Sequence, residues 1–236
     1  MKLLAVDTAA QGCGVALMES ERLLAEILLV NRETHSLHLM AMIREVLARS
    51  KVPLASVDGF AVSLGPGSFT GLRIGISTLQ GLAAALGKPL VGVATLEALA
   101  WQHPRPGSPV VVMMDARRGE VYGARFRFAA GSLVRETPDQ VQDPLAAVWD
   151  VTQPCLFVGS GALLYRDLIA AALGEKACFV PDFQNQLRPS SVAWLGWRRL
   201  VEAAPAPLGD LRPIYVRKSD AEIHRGTAAG RLPSDQ

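Results

Sequence analysis

Cysteine is scarce in this 236-residue chain: Cys13, Cys155 and Cys178 are the only three, and no two of them form a C-x-x-C pair. An odd number at wide spacing argues against a disulfide framework and for free thiols in a reducing compartment. Charge of one sign is missing as well. The 24 basic and 22 acidic residues leave a net charge of +2, too weak a field for nucleic-acid binding by this chain alone. A local excess between Arg188 and Lys218, faced only by Glu202 and Asp210, reads as solvated surface. No apolar run approaches the ~20 residues of a membrane span. The strand-like start Lys2-Leu3-Leu4-Ala5-Val6 leaves no room for a signal peptide. A cytoplasmic protein without membrane contact is expected.

Several catalytic signatures are missing too. No G-x-x-x-x-G-K-[ST] phosphate loop can be laid on the chain, and the one glycine run has Thr70 where a dinucleotide fingerprint needs its third glycine. No G-x-S-x-G elbow occurs, and Ser68 has no assigned base. His35 and His38 stand three apart on a predicted helix with no third ligand nearby, so they read as polar residues at a helix start rather than a metal pair.

What is present is an ordinary globular composition, half apolar, long enough for one large or two small domains. Strands are predicted at Lys2–Val6, Gly14–Met18 and Leu23–Val30. A helix follows from His35, capped by Thr34, then a strand at Val57–Ser63 and a helix from Thr70 to Leu86 stopped by Gly87. A strand at Leu90–Val93 and a helix from Thr95 to Trp101 complete the order βββ-α-β-α-β-α. His103-Pro104-Arg105-Pro106-Gly107 is the best boundary in the chain. Beyond it the same order is predicted: strands at Val110–Met114, Val121–Phe128 and Leu133–Glu136, helix Leu145–Trp149, strand Cys155–Val158, helix Leu163–Leu173, strand Ala177–Val180 and helix Val192–Ala203. The expected organisation is two lobes, 1–102 and 107–219, with a disordered tail at 220–236.

Chemistry concentrates at the strand ends. Gly65-Pro66-Gly67-Ser68-Phe69-Thr70-Gly71 follows an apolar run and opens a helix, a place where backbone N–H groups suit an anion or a close partner. Asp7 and Asp115 each end the first strand of a half; such an Asp positions a metal-bound water beside a phosphate, or simply makes a turn. Arg117-Arg118 after Asp115 would crowd a phosphate cradle. Gly159-Ser160-Gly161 before a helix is a weak candidate for nucleotide-base contact. The two helices near 35–49 and 70–86 look more apolar than one buried face requires, which suggests a shared exposed patch for a protein partner, with Leu39, Met40, Met42, Ile43, Leu72, Ile76 and Leu79 as its candidate residues.

The runs LAVDTAAQGCGVAL, GPGSFTGLRIG, MMDARRGEVYGARF and IYVRKSDAE together resemble the TsaB (YeaZ) family. The resemblance implies an α/β, actin-like, two-lobed fold of the hsp70 and sugar-kinase superfamily. It also implies a part in making N6-threonylcarbamoyladenosine at position 37 of tRNAs that read ANN codons. The implied partners are a TsaD-like catalytic subunit and a TsaE-like ATPase, with tRNA met only through the complex and a homodimer when the chain is isolated. ATP and Mg would be used by that assembly, with no cofactor expected on this chain; Asp7, Gly65, Gly67 and Asp115 would be vestiges of a nucleotide site. Where TsaD has a His-Met-Glu-Gly-His metal site, this chain has Thr95-Leu96-Glu97-Ala98-Leu99, which replaces both imidazoles and predicts a non-catalytic subunit. The alternative is an actin-like ATPase or small-molecule kinase acting alone, with Asp7 and Asp115 on Mg²⁺.

Overall fold

A computed structural model describes residues 1–31, 33–203 and 207–217. The first half forms β1 (Lys2–Asp7), β2 (Gly12–Glu19), β3 (Arg22–Val30), α1 (His35–Arg49), β4 (Gly59–Gly65), α2 (Phe69–Leu86), β5 (Leu90–Ala94) and α3 (Thr95–Trp101). Short turns make β1, β2 and β3 an antiparallel meander. Longer crossovers through α1 and α2 then place β4 parallel to β1 and β5 parallel to β4, as parallel pairing requires. The sheet order is β3-β2-β1-β4-β5.

The second half repeats this plan. It comprises β6 (Pro109–Asp115), β7 (Val121–Ala129), β8 (Ser132–Arg135), β9 (Gln140–Gln142), β10 (Cys155–Val158), α4 (Ser160–Leu164), α5 (Arg166–Leu173), β11 (Ala177–Phe179) and α6 (Pro189–Glu202). Its sheet runs β11-β10-β6-β7-β8, with β9 also paired to β7, and again the parallel strands lie beside the first strand of the meander.

Side-chain alternation sorts the core into layers. Leu3 and Ala5 of β1 face a cluster between the two sheets, whereas Leu4 and Val6 face α1 and α2 on the other side. In β6, Val110, Val112 and Met114 point into the shared layer, and Val111 and Met113 point to an outer cluster under α4, α5 and Val148. Burying each large aliphatic side chain contributes about 1.5–3 kcal/mol.

Three local predictions differ from the structure. Leu145–Trp149 is a series of turns, started by the Asp143 carboxylate accepting from Leu145 N at 2.8 Å. The single helix expected at Leu163–Leu173 is two, α4 and α5, meeting at Tyr165 with φ −105° and ψ 20°; the break lets Tyr165 pack against the outer cluster. The short strand β9 carried too few residues to show an alternation.

One contact crosses the expected boundary at residues 102 and 107: α6 lies on β1, β2, β4 and β5 of the first sheet. A side-chain carbon at Gly196 would run into the Cβ of Ala61, so only glycine lets helix and sheet approach this closely. Glu26 of β3 holds the start of α6, accepting from Ser190 N at 2.8 Å and pairing with Arg188. Arg199 on the same helix pairs with Glu97 at 2.6 Å. The stretch 220–236 lies outside the described residues.

Candidate functional site

The glycine run lies at the C-terminal end of β4, beside the end of β1. Ser68 caps α2, accepting from Gly71 N at 3.2 Å, and Gly87 ends the helix in a left-handed conformation with φ 62°. A Cβ on Gly67 would collide with the carbonyl oxygen of Ala9, one on Gly71 with that of Thr8, and one on Gly75 with the Thr8 hydroxyl. Two hydrogen bonds close the contact: Ser68 N donates to Ala9 O at 2.6 Å, and Thr8 Oγ1 donates to Gly71 O at 2.7 Å. The glycines of this loop thus serve a close approach within the chain itself. Their close neighbour is the chain's own β1–β2 turn.

The other side of the loop is covered by residues 207–217. Gly65 has φ 112°, and a Cβ there would stand 2.7 Å from Ile214 O. Ile214 N donates to Leu64 O at 2.6 Å, and Tyr215 stacks on Phe69 with ring centroids 4.8 Å apart. Further along, Arg217 donates to Ala116 O at 2.7 Å and pairs with Glu120. This strap joins the glycine loop of one half to the Asp115 turn of the other.

Asp7 is 1% exposed. Its Oδ1 accepts from the Ser63 hydroxyl and from Ala9 N at 3.1 Å. Burial pushes its pKa up to about 6, although those two hydrogen bonds and the nearby His35 pull it down. Burial and the Asp7 charge raise the Cys13 thiol to about 11, which keeps it protonated and a poor nucleophile. Asp115 is committed to its own turn: Oδ1 accepts from Arg117 N at 2.8 Å, and its backbone N–H donates to Ser160 Oγ at 3.0 Å. Arg117, Arg118 and Gly119 follow with φ of 63°, 56° and 79°, a left-handed run that strains the two arginines. Gly159 and Gly161 let α4 press on β6, a Cβ at either meeting Met113 O; packing accounts for that turn.

His35 Nε2 lies 2.9 Å from Ala10 O, and His38 pairs with Glu33, so the two rings have separate partners. Thr95 and Leu99 are buried between the sheets at 0% and 1% exposure, and Thr95 Oγ1 has no hydrogen-bond partner among the described residues.

The expected interface needs a correction. Leu39, Met42, Ile43, Leu72, Ile76 and Leu79 are buried inside the monomer, in the cluster that joins α1 and α2 to the first sheet. Of the seven, Met40 alone is exposed, at 44%. The helices are broadly apolar because each packs on the sheet and on its neighbour. Spacing held the signal that was missed: Leu39, Met42, Ile43, Val46 and Leu47 follow one helical stripe, and Leu37 and Met40 fall off it. The outer surface of the pair shows Leu37 at 69%, Met40 at 44% and Phe69 at 37% exposure. Beside them lies a shallow depression of about 530 Å³ lined by Ser36, Phe69, Thr70, Arg73, Ile74, Ser77 and Thr78.

Two sheets, each a meander extended by parallel crossover strands and each ending its first strand in Asp, define a protein of the actin-like class. A fold likeness reaches component A of (R)-2-hydroxyglutaryl-CoA dehydratase from Acidaminococcus fermentans, at 10% identity and a TM-score of 0.53 over 84% of this chain and 98% of the other. A much nearer solved structure is YeaZ from Pseudomonas aeruginosa, with 29% identity and a TM-score of 0.77 over 91% and 99% of the two chains. The family model described as TsaD, tRNA N6-adenosine threonylcarbamoyltransferase, matches residues 23–225. The tRNA threonylcarbamoyladenosine biosynthesis protein TsaB of Escherichia coli K12 is 39% identical over 94% of this chain and 96% of its own length. The chain belongs to the TsaB (YeaZ) family.

Proposed function

We propose that this chain is a non-catalytic scaffold in the cytoplasmic machinery that forms N6-threonylcarbamoyladenosine on tRNA. It docks and activates a TsaD-like catalytic subunit through the outer face of α1 and α2. The observation that carries this reading is the close packing of the chain on its own glycine loop and on the turn after Asp115. The β1–β2 turn occupies the glycine loop, and Arg217 closes the turn after Asp115. Buried Thr95 and Leu99, where the sister family has imidazoles, offer no metal ligands and support the same reading. A kinase acting alone would need Asp7 open to Mg-ATP, and Asp7 is 1% exposed with its Oδ1 held by Ser63 and Ala9. A TsaE-like ATPase completes the assembly, ATP and Mg belong to its other subunits, and tRNA meets this chain only within the complex. Self-pairing of the isolated chain would use the same face.

A tRNA-modification assay with the catalytic subunit, run with and without this chain, tests the scaffold role. Calorimetry with Mg-ATP on the isolated chain tests the alternative: micromolar binding with turnover lost in Asp7→Asn would replace the scaffold reading. For the docking face, Met40→Glu places a charge on an exposed position and leaves the fold intact. It is expected to weaken association with the catalytic subunit at least about tenfold, since a charge desolvated without a partner at an interface is strongly unfavourable. A folded Met40→Glu protein that co-purifies at unchanged affinity would show that this face is not the docking surface.

A further inference from the structure

The outer face of α1 and α2 has a definite charge character. Arg73 is the sole charged residue of α2, and α1 adds Arg44 and Arg49 against Glu45. Arg73 is exposed and held in place: its guanidinium carbon stands 3.7 Å over the Phe69 ring, and its Nε donates to the Tyr215 hydroxyl at 3.0 Å. Among the described residues no carboxylate pairs with it. Its Nε is used, and among the described residues no hydrogen bond is made by its two terminal nitrogens, the groups that would meet a ligand from outside. A planar cation already fixed by a ring and a hydrogen bond loses little freedom on binding, which is how arginine serves as an interface anchor.

The surroundings match a side chain rather than a small molecule. The depression next to Arg73 is wide and shallow, with Phe69 and Ile74 as its apolar part and the hydroxyls of Ser36, Thr70, Ser77 and Thr78 around them. Leu37 and Met40 extend the apolar surface across α1. An acidic side chain set among apolar ones on a partner's helix would satisfy both parts at once.

Resting on the docking reading above, we propose that Arg73 is the specificity anchor of this face, donating to an Asp or Glu carboxylate of the catalytic partner subunit. Charge complementarity favours that occupant over a second copy of this chain. The acids of α1 and of the turn before it are already engaged: Glu45 pairs with Arg49 at 2.6 Å, and Glu33 binds His38 and Asn31. A second copy would bring a second Arg73 and no uncommitted carboxylate from α1 or α2.

The test is titration calorimetry of the full chain against the catalytic subunit at about 50 and about 500 mM salt, because a charge pair at a partly solvated interface weakens with screening. Wild type is expected to lose affinity at high salt. Arg73→Gln should bind about tenfold more weakly at low salt and show a flatter salt response, and Arg73→Glu should be about a hundredfold weaker. Arg73→Lys should recover only part of the loss, because a point charge lacks the fork that matches a carboxylate. Tyr215→Phe, which keeps the ring and loses the hydroxyl, should change affinity by no more than about threefold. Arg73→Gln binding within about twofold of wild type, with an unchanged salt response, would overturn the proposal. So would sedimentation showing that Arg73→Gln disrupts a homodimer while leaving the heterocomplex intact. Met40→Glu separates the two readings. If it abolishes binding while Arg73→Gln is neutral, only the carboxylate anchor fails; if both are neutral, the docking face itself fails.

Discussion

Gly71→Ala is expected to destabilise the fold by about 3 kcal/mol, at the upper end of overpacking effects, and to lower the melting temperature by roughly 6–12 °C for a chain of this size. Helix propensity alone points the other way, since alanine inside a helix is better than glycine by about 0.5–1 kcal/mol. Packing decides the sign. The new Cβ would lie well inside the 3.0 Å that real Cβ atoms keep from their neighbours, and its neighbour is the Thr8 carbonyl, which is backbone and cannot rotate away. Moving α2 outward would stretch the Thr8–Gly71 and Ser68–Ala9 hydrogen bonds together. Gly81 on the same helix supplies the control, because a Cβ there meets nothing within 4 Å. Gly81→Ala should therefore stabilise by a few tenths of a kcal/mol up to about 1. Thermal melts of the pair should move in opposite directions, and a Gly71→Ala protein that melts at or above wild type would refute the role given to this glycine.

Asp7→Asn is expected to stabilise the chain at neutral pH by up to about 3 kcal/mol, the linkage equivalent of raising a carboxyl from 3.8 to about 6. The sign follows from proton counting. Between those two values the folded chain retains a proton on Asp7 that the unfolded chain has released. Stability from this group therefore falls as pH rises through that window and stays low above about 6. Asparagine carries no charge to desolvate, and its carbonyl oxygen can still accept from Ser63 and Ala9. Urea unfolding at about pH 4, 6 and 8 should give a wild-type disadvantage that grows with pH. A gap that does not vary with pH, or an Asp7→Asn protein weaker at about pH 8, would show that the buried carboxylate is not the source.

Much of the architecture was legible because it is local. Apolar runs, short gaps and Gly87 located the meander, the crossovers and the end of α2 to within a few residues, and the two Asp-terminated strands exposed the repeat. Segments whose shape is set from outside were less legible. Tyr165 breaks a helical pattern in order to reach a cluster built from β6, β7 and β10. Asp143 caps Leu145–Trp149 as it would a helix start, accepting from Leu145 N, yet the segment continues only as turns. The site followed the same division. Asp7, Asp115 and the glycine loop could be placed at strand ends from spacing alone. That the loop is filled by Thr8 and Ala9 depends on contacts between residues some 60 positions apart, which no local pattern encodes. Composition suggested that α1 and α2 were sticky, but the stripe spacing, rather than the apolar content, separates Ile43 inside from Met40 outside.

The placement of α6 has a consequence for biosynthesis. The first sheet is complete in sequence once β5 has been made, yet the helix that seals its inner face begins roughly a hundred residues later. At translation speeds of about 5–20 residues per second, that face waits on the order of 5–20 s for its cover. During this interval Leu3, Ala5, Ala61 and Val91 are without Val192, Ala193 and Leu195. The nascent chain therefore passes through a stage in which an apolar sheet surface is open to chaperones or to premature partners. Only synthesis of the C-terminal region closes that stage, so a ribosome stalled between the two halves would present a sticky half-molecule rather than a finished domain.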